Sequence, residues 1–309
     1  MPDEERDSRK KGMRPGKEKK GVYRYLQVLI FMDNTKKILT TTELSDKQTN
    51  DVLKLLELCQ ETYDSEEVCF MEGEMNCLED IPCYYLAYDG EILACFLSVF
   101  IPDESSAEIY SLTTPGYENS GIFEHLINAA ADTLEEADIH DIFFVSDHDD
   151  KINSDYMKKY YQEIDSSTLL MELDVPYPDV FSDVSADSSS DYIFEHKAEV
   201  TETEDEQSIN HSLSFFKEGV SYGFAECEQY PHAFCLHHIE VEEKFRGKGY
   251  GKAMLSDLLT YCLSLVYDAP EDDRPIHFIL NVDADNTPAC KLYSGYGFTI
   301  GQQIDYYYI

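Results

Sequence analysis

Nine consecutive residues near the C-terminal end, Lys244-Phe245-Arg246-Gly247-Lys248-Gly249-Tyr250-Gly251-Lys252, hold four basic side chains and three glycines. They lie between a strand-like run, Phe234 to Val241, and a helical run, Lys252 to Tyr267. Gly249 and Gly251 let the backbone approach an anion with no Cβ in the way. The helix that follows offers unpaired N–H groups and the positive end of its dipole. Such a terminus stabilises an anionic charge by about 0.3–1 kcal/mol, and by about 2 kcal/mol when partly buried. The chemistry this stretch suits is phosphate binding. A P-loop would put Gly at the position of Arg246 and Ser or Thr at that of Ala253, and a dinucleotide fingerprint would need a different final glycine spacing. Both are excluded.

A second block follows the strand-like run Ile276 to Val282: Asn286, Ala289, Leu292, Tyr293, Gly297 and Phe298. Arg246 to Gly251 resembles the (Q/R)xxGx(G/A) pyrophosphate loop of the GNAT superfamily of acyl-CoA-dependent N-acyltransferases. The second block resembles the NxxAxxLYxxxGF signature that ends that fold. The resemblance implies an α/β fold of the mixed kind, a mostly antiparallel sheet flanked by helices. It also implies acetyl-CoA as co-substrate, with no metal. The backbone of Ile239 and Val241 would run along the pantetheine arm, and Asn286 would lie near it. The stretch Arg246, Gly247, Lys248, Gly249, Tyr250, Gly251 and Lys252 would surround the pyrophosphate. Tyr293 would be the general acid, its phenol (pKa about 10) returning a proton to the departing thiolate, whose reference pKa is about 8.5.

The amine must lose a proton. With a pKa near 10.4, an alkylamine is only about one part in 10³ neutral at pH 7, a handicap of about 4–5 kcal/mol. His237, on the strand before the loop, titrates in the useful range and resembles a catalytic histidine of arylalkylamine N-acetyltransferases. Glu240 and Glu242 are rivals. His238 points to the opposite face unless a bulge shifts the strand's phase. Asn281 stands where ribosomal-protein alanine N-acetyltransferases carry a glutamate base, so that version of the mechanism is absent.

The elements that must position these groups repeat. Ser45 and Gln48 resemble a capping box ahead of a helix with Val52, Leu53, Leu55, Leu56 and Cys59 on its apolar face. A hairpin follows across Asp89-Gly90. Then come a strand at Ala107 to Thr113, a helix at Ile122 to Glu136, a strand at Asp141 to Val145, a helix at Ser154 to Glu163 and a strand at Thr168 to Val175. After a Pro/Ser/Asp-rich linker the plan recurs: a strand from Tyr192 to Val200, a hairpin at Glu218-Gly219, then the strands and helices around the two motifs, ending in a short helix from Pro288 to Ser294. This predicts two tandem GNAT-like domains, a degenerate copy at 32–178 and the acetyltransferase copy at 191–309, joined by a linker at 179–190. Residues 1–31 are read as a disordered tail. They are a candidate start-site or cloning extension, and residues 1–24 hold nine of the 24 basic residues.

In the first copy, Pro115-Gly116-Tyr117-Glu118-Asn119-Ser120-Gly121-Ile122-Phe123 stands where the phosphate loop belongs. Glu118 takes the basic position, so a carboxylate would face the pyrophosphate, and Phe123 takes the last small one, so a bulky ring would crowd it, which predicts no productive CoA binding. The second copy has only about ten polar residues, Thr201 to Asn210, where the first copy has its long helix. The first copy is therefore expected to wall the acceptor site. Deleting residues 1 to 180 should then remove acceptor selectivity and spare CoA affinity.

Composition bounds the partners. With 24 Lys+Arg against 62 Asp+Glu, the net charge is −38, which disfavours nucleic acid and anionic membranes and favours a cationic acceptor, a small molecule or peptide carrying a primary amine. Nine cysteines without a CxxC pair suit a reducing cytoplasm rather than a disulfide framework or a zinc site. No apolar run reaches the roughly 18 residues of a membrane span. The expected activity is transfer of an acetyl group from acetyl-CoA to an amine. The alternative is a non-catalytic acyl-CoA sensor or interaction module.

Overall fold

The computed structural model describes residues 36–63, 69–160, 163–176, 195–202, 208–266 and 275–309. The tail read at 1–31 and the linker read at 179–190 lie outside the described residues. In the first copy, strand β1 (Lys36–Thr41) precedes helix α1 (Asp46–Tyr63), β2 (Tyr84–Asp89), β3 (Ile92–Phe100) and β4 (Ser106–Thr113). Helix α2 (Ile122–Glu136), β5 (Asp141–Asp147), α3 (Lys151–Tyr160) and β6 (Ser166–Val175) complete it. The second copy runs β7 (Glu195–Glu202), β8 (Ile209–Lys217), β9 (Val220–Gln229), β10 (Ala233–Val241), α4 (Tyr250–Val266), β11 (Ile276–Asp283), α5 (Thr287–Gly295) and β12 (Thr299–Tyr308).

Local chemistry accounts for most boundaries. The Ser45 amide donates to Gln48 Oε1 at 2.8 Å, one half of a capping box, and opens α1. Glu218 and Gly219 both take positive φ, 52° and 75°, as a two-residue hairpin that follows the sheet's twist requires. In the first hairpin the turn falls on Gly90 and Glu91, one residue later than expected, after a register shift between Ala87 and Tyr88. Helix α3 starts three residues before the expected Ser154, because Asp150 Oδ1 accepts the amides of Ile152 (2.9 Å) and Asn153 (3.1 Å) and caps it there. Strands β1 and β12 carry no counterpart in the sequence reading. Between β7 and β8 the gap from 202 to 209 leaves no room for a long helix, as expected.

All strands join one 12-stranded sheet in the order β1-β2-β3-β4-β5-β12-β6-β11-β10-β9-β8-β7. The two copies are therefore not separate sheets. Each gives its last strand to the middle: β6 lies antiparallel between β11 and β12, and β12 lies antiparallel between β5 and β6. The boundary read at 178/191 is crossed by this exchange. Tyr307 of β12 packs in the first copy's core with Ile142 and Phe144, while Leu169 and Met171 of β6 pack in the second copy's core with Phe278 and Leu280. Polar bonds fasten the junction. The buried Asp305 of β12 accepts from Ser167 Oγ of β6 (2.7 Å) and pairs with His148, at the end of β5 (2.7 Å).

The copies differ in how the sheet is covered. Every residue of β3 from Leu93 to Val99 is buried, so helices α1 and α2 close both faces of the first copy. In β8, β10 and β11 burial alternates, which marks a sheet with one covered face. That face carries α4 and α5, whose Leu255, Leu258, Leu259 and Tyr293 complete the second core.

Candidate active site

Strands β10 and β11 run parallel and pair only from Ala233/His277 to Leu236/Leu280. Beyond that point β10 continues to Val241 against β9, and β11 continues to Asp283 against β6, so the two part and leave a cleft between them. The basic loop sits at the end of β10. A single 3-10 turn, Glu243–Phe245, leads into it, and Gly247 and Gly249 adopt φ of 71° and 85°, where a side chain would be strained. Helix α4 begins at Tyr250, and Gly251 in its first turn faces Leu292 of α5 and Val241 of β10, where a Cβ would make ordinary contacts at 3.6 and 3.7 Å. Arg246 is held by the loop's own frame. Its Nε donates to the Val241 carbonyl (2.8 Å) and Nη2 to Glu240 Oε1 (3.3 Å). Lys248 Nζ donates to the Lys244 carbonyl (2.7 Å). An anion at this site is thus left the turn's amides and the α4 terminus, with the basic side chains bracing the turn.

The register of β10 on β9 shifts between His237 and Glu240, and His238 takes a positive φ of 50°. This is the bulge on which the orientation of His238 depends. Before it, Phe234 and Leu236 point into the core; after it, Ile239 and Val241 do. His237, His238 and Glu240 consequently share the other, less covered face, and in a regular strand His237 and Glu240 would lie on opposite sides. His238 Nδ1 bonds Glu226 Oε2 on β9 (2.5 Å), and His237 Nδ1 lies 3.5 Å from the same oxygen. Glu226 does not stand out in the sequence, because only the β9–β10 register brings it opposite His237. The hydrogen bond from His238 lowers its carboxyl pKa, outweighing the effect of burial. Glu242, the rival base, pairs with Lys244 at 2.6 Å.

Asn286 is the N-cap of α5, its Oδ1 accepting the Ala289 amide at 3.3 Å. Tyr293 lies two turns further on, 6% exposed, its ring 6.0 Å from that of Phe298. Burial raises its phenol pKa, so it stays protonated through neutral pH. The end of α5 is tied to the loop: Tyr296 donates to the Lys252 carbonyl at 2.7 Å.

The first copy has the same parting of strands, β4 and β5 pairing only from Ser106/Asp141 to Ile109/Phe144, but fills it from within. Asn153 of α3 donates to the Ser111 carbonyl (3.3 Å) on the opened part of β4, where the second copy has the short Ala289. About 10 Å³ of space remains there, room for a single water. In the loop, Glu118 accepts the Gly116 amide (2.9 Å) and the Tyr63 hydroxyl (2.8 Å), and bonds from the backbone, that of Gly116 first, lower its pKa, with the Tyr63 hydroxyl adding to them. The loop thus supplies its own anion. Phe123 does not crowd this position as expected; it is buried against Phe144 and Tyr156 in the core, since its place in the first turn of α2 faces the sheet. Seven residues past the cap, Met157 stands where α5 has Tyr293.

The two caps yield a prediction. Burial raises the carboxyl pKa of Asp150, so ionised Asp150 costs stability at neutral pH, and the cost fades as pH falls toward the unfolded-state value of about 3.9. Asp150→Asn keeps the capping oxygen that Asn286 supplies in the other copy. It is expected to raise the melting temperature at pH 7 by about 2–4 °C per kcal/mol gained, with the gain gone at pH 4. A lower melting temperature at pH 7 would show the charge to be needed.

The fold defines a tandem protein of the GNAT type. It superposes on a GCN5-related N-acetyltransferase from Sphaerobacter thermophilus with a TM-score of 0.62 at 12% identity, over 89% of this chain and 95% of that one. It superposes equally on a tandem GNAT protein from the clavulanic acid biosynthesis pathway, with a TM-score of 0.60 at 14% identity, over 88% and 97%. At these identities the likeness is one of fold. Residues 177–298 match the model of the Acetyltransferase (GNAT) family, so this part of the chain is a GNAT acetyltransferase domain, an acyltransferase. No curated protein matches the chain in sequence.

Proposed function

We propose that the second copy transfers an acetyl group from acetyl-CoA directly to a primary amine of a cationic acceptor, and that the first copy is a scaffold. The observation that carries this reading is the contrast between two equivalent clefts. One lies beside glycine amides at a helix terminus, with the short Ala289 facing it; in the other Asn153 bonds across to β4 and the loop amide is taken by Glu118. Acetyl-CoA supplies the activated thioester. The free edge of β10 at Ile239 and Val241 takes the pantetheine amides, and residues 246–252 take the pyrophosphate. His237, with Glu240 on the same face, receives the amine proton, and Tyr293 protonates the leaving thiolate. The net charge of −38 draws a cationic acceptor toward the cleft. A reducing cytoplasm suits a chain whose nine cysteines are all free, Cys262 donating to Cys227 Sγ at 3.6 Å without a disulfide. Among the described residues no helix is long and apolar enough to cross a membrane.

Calorimetry tests the reading. The full chain is expected to bind one acetyl-CoA, with ATP and NAD as controls, and the Arg246→Ala, Gly249→Trp variant none. Two sites would overturn the scaffold role of the first copy, and no site would overturn the proposal. The experiment needs the whole chain. Deleting residues 1 to 180 would remove β6 from between β11 and β12, so such a truncation is not expected to keep its CoA affinity, against the simpler expectation for two separate domains.

A further inference from the structure

We propose that Glu226, His237 and His238 bind a divalent transition-metal ion of the zinc type, and that the bound ion switches acyl transfer off. Three donor atoms converge: His237 Nδ1 lies 3.4 Å from His238 Nδ1 and 3.5 Å from Glu226 Oε2, and His238 Nδ1 lies 2.5 Å from that oxygen. Zinc bonds of about 2.0–2.1 Å in a tetrahedral array separate neighbouring ligand atoms by about 3.3–3.5 Å. Two edges of the triangle already have this length. The third is a hydrogen bond, and an incoming ion would displace its proton and open the edge by on the order of 1 Å. Two imidazoles and a carboxylate with a fourth position open make a donor set that zinc favours.

The convergence is built into the backbone. Adjacent residues of a strand point to opposite faces, and only the left-handed conformation of His238, unfavourable for a non-glycine residue, puts both rings on one side. The carboxylate is oriented as well. Ser212 Oγ, on β8, donates to Glu226 Oε1 at 3.1 Å and leaves Oε2 aimed at the two rings, the kind of outer support that metal ligands have. His238 is 74% exposed, so an ion reaches the site without any rearrangement of the core.

The switch follows from the imidazole and rests on the function proposed above. An ion on Nδ1 of His237 occupies one lone pair and fixes the ring proton on Nε2, so neither nitrogen accepts a proton from the amine.

Binding and switching are tested separately on the untagged full chain. Zinc alone, titrated by calorimetry, is expected to bind one ion per chain. Cobalt in its place should give a spectrum without thiolate charge transfer. Glu226→Gln and His238→Asn should each weaken binding about 100-fold or more, a missing ligand costing at least as much as a missing outer partner. Thiolate bands would assign the ion to cysteines and overturn the site, as would zinc affinity unchanged in either variant. In the acetylation assay, saturating zinc should abolish turnover, a chelator should restore it, and His238→Asn should need about 100-fold more zinc, each variant being scored against its own zinc-free rate. Zinc bound at full stoichiometry with turnover unaffected would overturn the switch. Absence of turnover with every amine would count against the transfer reaction and leave the binding result standing.

Discussion

Tyr307→Ala is expected to destabilise the protein by about 3–5 kcal/mol, the range for losing a large buried aromatic. The loss should show in the first copy, although Tyr307 belongs to the last strand of the second. The side chain is 1% exposed and sits among Ile142, Phe144 and Met157. In hydrogen exchange, the amides of β4 and β5 should lose protection before those of β9 and β10. Met171→Ala is the mirror case, with about 2–5 kcal/mol lost from the second core through a strand of the first. Tyr308→Ala, 47% exposed, is the near-neutral control. If Tyr307→Ala loosened only the second copy's own helices, the strand exchange would be wrong.

Tyr293→Phe and His237→Ala should each lower kcat by about 10²–10⁴, the usual weight of a positioned acid or base. The acetyl-CoA dissociation constant should stay within a few-fold of its original value. Phenylalanine keeps the packing against Phe298 and removes only the proton that burial holds on the phenol, so Tyr293→Phe separates chemistry from structure. The variants also divide the transfer reading from its rival. Unchanged kcat would remove the assigned roles. Tight acyl-CoA binding by the parent chain with no turnover of any amine would favour a ligand sensor.

What is legible in the sequence is local. The loop from Arg246 to Gly251 and the block from Asn286 to Phe298 declare themselves by spacing within one turn-and-helix unit, and α1 and α2 fall where their apolar periods put them. The remainder depends on partners far along the chain. Strand β12 mixes glycine, glutamines and tyrosines, and its place between β5 and β6 rests on pairing with strands well over a hundred residues earlier in the chain. The bulge at His238 is legible only as a condition. Nothing in His237-His238-Ile239 reports which residue takes the left-handed conformation, and Glu226 joins them through register alone. In the first copy the substitution at Glu118 is legible as a loss of phosphate binding. That the carboxylate takes the vacated amide, with Tyr63 from α1 holding it, is not.

The place of β12 also sets an order on how the protein is made. A ribosome delivers the first copy early and β12 after every other described strand, yet β12 belongs in the middle of the sheet. Until those ten residues are released, β5 has an open edge and β6 has nothing on the side that will face β12. Open strand edges invite pairing with other chains. The nascent protein therefore carries both edges from the emergence of β6 until that of β12, which closes them at once.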